Sequence, residues 1–146
     1  MAFATQLLLA SIRITTPLAY AAVGGVFSDR TGIINLGLEG MMLAGAFFAF
    51  LVTYSTDAVW LGLLVAMAAG GAVALLHAFL SVTLRADQII SAIAINIFAL
   101  GLTSSLNRVI FGTNIFERTI LPLPTIEVPG LGRIPFLGPV LFDHSL

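Results

Sequence analysis

Apolar residues run together along this chain in four long stretches. They do not recur at the spacing of a half-buried helix, nor alternate as in a strand. The stretches cover about residues 6–27, 33–54, 58–84 and 89–107. The first is interrupted by Arg13, the second by Glu39 and the third by His77; the fourth carries no charge. At 1.5 Å rise per residue, about 20 residues cross a hydrocarbon core of roughly 30 Å, so each stretch is long enough to span. The polar links SDRTG (28–32), STD (55–57) and RADQ (85–88) are short and force an up-down-up-down order. A transmembrane barrel would show period-2 alternation in roughly ten-residue pieces, which is absent. The N-terminal MAFATQLLLASIR has no basic residue before its apolar run, so it reads as a retained span, not a cleaved signal. The pattern predicts an all-α, polytopic integral membrane bundle of about four transmembrane helices.

After residue 107 the pattern stops. Residues 108–146 hold five of the six prolines (Pro122, Pro124, Pro129, Pro135 and Pro139) and three of the six arginines. Proline at that density forbids a long helix. Two regions follow: a transmembrane part, 1–107, and an external Pro-rich segment, 108–146, expected to lead to a further span beyond Leu146. Arginines in short loops set orientation. Arg30 and Arg85 fall in loops on one side, whereas the 55–57 loop has only Asp57. Loops 28–32 and 85–88 are therefore assigned to the cytoplasm, with Tyr54 and Trp60 flanking the external hairpin as interfacial anchors.

Composition narrows the function classes. Only 9% of residues are charged, against roughly 25% in a soluble domain. Mean hydropathy is +1.09. Arginine is the only strong cation and net charge is −1, so no basic stripe exists for nucleic acid. Without cysteine there is no disulfide framework, thiolate nucleophile or Cys-type zinc site. A phosphate-binding GxxxxGK[ST] loop is impossible without Lys, and no HExxH or GxSxG occurs. His77 and His144 make no catalytic set. No catalytic, cofactor-binding or metal residues are assigned.

The scarce polar residues inside the spans are the candidates. GGVFSDRTGIINLGLEGMM (24–42) crowds Gly24, Gly25, Gly32, Gly37 and Gly40 into one hairpin. Thr31 or Asp29 is placed to cap the second helix. Asn35 and Glu39, four apart, share a helix face. Glu39 would lie about two turns into that helix, where an ionised carboxylate costs about 2.5–3.5 kcal/mol on insertion scales. Such a group faces the bundle interior, finds partners or lines a watery cavity. The glycines permit close backbone approach or a break in the helix of the kind transporters use beside a substrate. Glu39 is either structural or part of a solute path. Asn96, mid-span in the fourth stretch, needs a partner from another helix or a ligand. In the third span Gly62, Ala66, Gly70, Ala74 and Ala78 recur every four residues and predict tight helix packing. His77, beside that stripe, reads as a hydrogen-bonded interior group. Arg13 snorkels toward the outer interface.

In combination these segments resemble a known family. GGVFSDRTGIINLGLEGMMLAGAF (24–47) and ADQIISAIAINIFALGLTSSL (86–106) are similar to permease subunits of ABC importers, in particular the branch taking up nucleosides and simple sugars, related to branched-chain amino acid permeases. Ser28, Arg30, Gly32, Asn35, Gly37, Glu39, Gly40, Met41 and Met42 fit a motif of the form SERSGVINIGLEGMM, with Asp29 and Thr31 as variants. The likeness runs from about Pro17 to the end, its tail VPGLGRIPFLGPVLFDHSL resembling the family's external loop.

The resemblance implies an all-helical permease in a prokaryotic inner or plasma membrane. It implies a second permease subunit, ATP-binding ABC subunits that carry the ATP, and an external substrate-binding (lipo)protein. The translocation path would include Asn35, Glu39 and Asn96, with Gly32, Gly37 and Gly40 as the motif's backbone positions. The family's cytoplasmic coupling motif follows the next span and does not occur here, so the chain is expected to be the N-terminal part of a permease. Two other classes stay open from the residues alone. One is a small helical membrane protein with an assembly or regulatory role; the other is a secondary transporter or channel with Glu39 and His77 as ion sites.

Overall fold

In the computed structural model, which describes residues 2–112, four long helices follow one another: α1 (Ala2–Arg30), α2 (Leu38–Thr56), α3 (Val59–Ala78) and α4 (Gln88–Phe111). A π-helical turn, Phe79–Thr83, extends α3. All four helical segments are long and apolar enough to cross a membrane. The described residues contain no strand. This is the helical membrane bundle the pattern predicts. Residues 113–146, with their prolines, His144 and most of the expected external segment, lie outside the described residues.

The chain divides into two units. Among the described residues, the first holds the leading part of α1, through Ala22. That part is helical despite Pro17, which has no N–H to give its preceding turn. Next to it, the Thr16 hydroxyl donates to the Ile12 carbonyl (2.8 Å).

The second unit holds Val23 onward, including α2, α3 and α4. Its interior is built largely from small and polar side chains, with Met41, Ile95 and Phe111 the buried large apolar ones among the described residues. Ala44, Ala92 and Ala99 are buried, as are Thr53, His77, Ser81, Ser91 and Thr103. Many large apolar groups point outward, among them Leu75, Ile90, Ile97, Phe98 and Val109. In water that distribution would be costly. In lipid the tails are as apolar as leucine, so close backbone packing becomes the gain.

Helices α2 and α3 show that packing directly. A Cβ at Gly45 would stand 3.2 Å from the Ala66 carbonyl oxygen, and one at Gly62 3.0 Å from that of Ala49. At Gly62 it would also collide with the Thr53 hydroxyl. A Cβ at Gly70 would sit 3.4 Å from the Met41 carbonyl oxygen. Three positions of the small-residue stripe are thus where α3 can approach α2; Ala74 and Ala78 are half-buried further along.

The helix ends differ from expectation chiefly at the start of α2, and α4 runs on through Phe111, past the expected end of its span at residue 107. Asp87 caps α4, its carboxylate accepting from the N–H groups of Ile89 (2.9 Å) and Ile90 (3.0 Å). The α2–α3 hairpin turns at Asp57, which holds a left-handed conformation (φ 53°). Helix α2, however, begins at Leu38 instead of near residue 33, and α1 runs on through Arg30. Residues 31–37 are non-helical. Gly32, at φ +81°, adopts a conformation that favours glycine and turns the chain away from α1.

Candidate functional site

The break before α2 gathers the motif residues. Neither Thr31 nor Asp29 caps α2: the Thr31 hydroxyl donates to the Ser28 carbonyl (2.7 Å) and so closes the end of α1. The cap position of α2 is Gly37, with no side-chain cap bond. The Asn35 side chain accepts from the Gly37 N–H (3.0 Å) and folds the segment onto itself, its amide nitrogen meeting the Met41 sulfur at 3.7 Å. The Ser28 hydroxyl donates to the Ile33 carbonyl (3.0 Å).

Helix α4 supplies the remaining bonds. The Gln88 side-chain oxygen accepts from the Ile34 N–H at 2.8 Å. Asn96 uses both ends of its amide. Its oxygen accepts from the Gly40 N–H (2.8 Å), and its nitrogen donates to the Leu36 carbonyl (3.0 Å). The first N–H groups of a helix have no intrahelical partner, and Asn96 supplies one from another helix. Contact this close requires Gly40: a Cβ there would be 2.9 Å from the Asn96 side-chain oxygen and 3.1 Å from its Cα. At Gly37 a Cβ would meet the Asn35 oxygen at 3.3 Å.

Glu39 is therefore not two turns inside a helix. It lies in the first turn of α2, exposed, and its carboxylate makes no hydrogen bond or ion pair among the described residues. A negative charge near a helix N-terminus is favourable, which lowers the cost of the charge. Beside it, the backbone N–H groups of Asn35 and Leu36 and the carbonyl of Ile34 also make no hydrogen bond among the described residues. The break thus offers both donors and acceptors next to one carboxylate. Of the three expected path residues, Asn35 and Glu39 flank the break, while Asn96 spends its amide on holding it.

A second polar group lies behind Gln88. Ser91 Oγ is 3.1 Å from the Gln88 carbonyl oxygen and 3.3 Å from His77 Nδ1. One hydroxyl proton cannot serve both. When Ser91 donates to Gln88, His77 must donate from Nδ1, which leaves Nε2 as a bare acceptor. His77 Nε2 and Ser81 Oγ are both buried without a hydrogen-bond partner. The sequence shows Ser91 as one of the polar residues of the fourth span, whereas Gln88 and Ser81 carry no assigned role there. The available signal was Gln88 at the start of a span, eight residues before Asn96, which places both on one helix face.

Elsewhere, α2, α3 and α4 border an apolar cleft of about 410 Å³ lined by Ala44, Phe48, Val65, Val73 and Leu102 among others. It offers almost nothing to orient a polar solute. No group of three His, Cys, Asp or Glu is placed to hold a metal among the described residues.

Four helices long and apolar enough to cross a membrane, joined by short links, define a multi-pass helical membrane protein. Residues 7–127 match the family described as "Branched-chain amino acid transport system / permease component", and the chain belongs to that family. It is 42% identical over 140 residues to the guanosine ABC transporter permease protein NupQ of Bacillus subtilis, covering 92% of this chain and 44% of that protein. It is 38% identical over 149 residues to TsgC13 of Haloferax volcanii, provisionally named a glucose ABC transporter permease protein, covering 99% and 44%. With the nucleoside ABC transporter permease protein NupC of Lactococcus lactis it shares 36% over 150 residues, covering 96% and 46%. The chain spans less than half the length of these curated relatives. No solved structure matches it.

Proposed function

We propose that this chain lines part of the translocation path of an ABC importer for a nucleoside or simple sugar, in the plasma membrane of a prokaryote. ATP hydrolysis would occur on separate ABC subunits. A second permease subunit would complete the path, and an external binding (lipo)protein would deliver the solute. The observation that carries this reading is the break at residues 31–37, where unpaired backbone donors and acceptors adjoin the Glu39 carboxylate. A nucleoside or sugar presents hydroxyls that both give and take hydrogen bonds. Mixed donors and acceptors suit such a solute better than a purely apolar cleft or a ring of like charges. The names of the relatives support the same solute class.

The test is uptake of labelled guanosine and glucose by cells that depend on this chain. Replacing Glu39→Gln, or Asn35→Ala, should cut uptake at least about tenfold with an unchanged amount of chain in the membrane, the loss of about one charge-assisted contact. Wild-type uptake in both variants would return these residues to a packing role. Uptake that persists in vesicles without ATP would place the chain among secondary transporters.

A further inference from the structure

The break needs to be held open. Segment 31–37 adjoins an apolar stretch, and its backbone would regain intrahelical bonds by coiling onto α2. Two side chains on one face of α4 prevent this, Gln88 at the Ile34 N–H and Asn96 at both the Leu36 carbonyl and the Gly40 N–H. The two Asn96 bonds stand in for the Gly40 N–H to Leu36 carbonyl bond that a longer α2 would make, and Gln88 holds an Ile34 N–H that a helix begun at Ile33 would leave unpaired. The three contacts bracket the segment, so none of them alone sets its shape.

We propose that Gln88 and Asn96 are positioning residues, a clasp that keeps residues 33–37 unwound and so sets Asn35 and Glu39 toward the solute. This deepens the permease reading and rests on it for its functional half. Asn96 acts through the segment and not on the solute, because both ends of its amide are engaged by backbone. Gln88 is the more informative of the pair, since it takes only one bond and lies at the end of α4, away from the tight contact at Gly40.

These 146 residues hold no cysteine, so an introduced thiol is the only one among them, and its labelling is read against the same membranes without it. Leu36 is exposed and donates no side-chain bond, which makes Leu36→Cys a suitable probe. In native membranes, its alkylation rate by a water-soluble maleimide is compared between Leu36→Cys alone and with Gln88→Met, Gln88→Glu, Asn96→Asp or Asn96→Leu. Gln88→Glu keeps the acceptor for Ile34; Asn96→Asp keeps the acceptor for Gly40 and loses the donor to Leu36.

The expected order follows the number of clasp bonds lost. Gln88→Glu leaves labelling and uptake per copy near the starting level. Gln88→Met and Asn96→Asp change both by about three- to tenfold, and Asn96→Leu by more. If Gln88→Met lowers only the amount of chain, with labelling and uptake per copy unchanged, Gln88 is merely structural and the proposal fails. The readouts also separate the two ideas. Labelling in the expected order, with no nucleoside or sugar uptake dependent on the chain, keeps the clasp and removes the transport reading. Unchanged labelling removes the clasp whatever uptake does.

Discussion

The two ends of the α2–α4 pair are held by different physics. At one end, where the links 31–37 and 84–87 meet, three amide bonds from Gln88 and Asn96 join side chain to backbone. At the other, rings do the joining. Phe111 packs edge-on against Phe50 (5.5 Å, 68°) and Tyr54 (5.5 Å, 84°). There α2 and α4 are both helical through the contact. Where the helix breaks, carbonyls and N–H groups must find partners, and side chains of matching geometry supply them. A helix interrupted without such partners would be the costlier structure in lipid.

Substitutions at the two ends should separate these modes. The largest effect is expected at Gly40→Val, whose added carbons would drive into the Asn96 side chain and backbone and against Ala99. A loss of about 3 kcal/mol is expected from overpacking, seen as a lower temperature of aggregation of the purified chain in detergent. Phe111→Ala comes next. It removes two edge-to-face pairs worth about 0.5–1.5 kcal/mol each, and should lower the same temperature while leaving labelling at Leu36→Cys unchanged. If that labelling rises, the two ends are coupled and the contrast drawn between them is too sharp. The smallest effect is expected at Gly71→Ala on α3, where a Cβ would meet nothing within 4 Å. Helix propensity alone then acts, and the aggregation temperature should rise slightly, by the equivalent of up to about 0.8 kcal/mol.

Much of the fold was legible because span length and charge scarcity are local properties. The hairpin at residues 55–57 and the start of α4 near Gln88 fall where polar residues interrupt apolar runs. The start of α2 was not legible in the same way. From Ile33 to Leu38 the run is apolar or glycine but for Asn35, and hydropathy alone does not distinguish a helix beginning at Ile33 from one beginning at Leu38. The decision is made by Gln88 and Asn96, more than fifty residues away in sequence. Glu39 inherited that error, being placed by counting turns from the wrong origin. Asn96 shows the opposite case. Its need for a partner was plain from its position, but whether that partner was a ligand or a helix depended on the backbone opposite. The close approach at Gly62 was readable from the four-residue spacing of small side chains, since packing in lipid favours such a face.

The amide bonds from α4 join residues 54, 56 and 60 positions apart. During synthesis, at roughly 5–20 residues per second, residues 34–40 leave the ribosome some 3–12 seconds before the side chains that hold this segment exist. For that interval the Ile34 N–H and the Leu36 carbonyl have only water or a neighbouring turn to bond. The order in which the chain is made therefore leaves residues 33–37 as the last part of their hairpin to reach final shape, settled by a helix that arrives later.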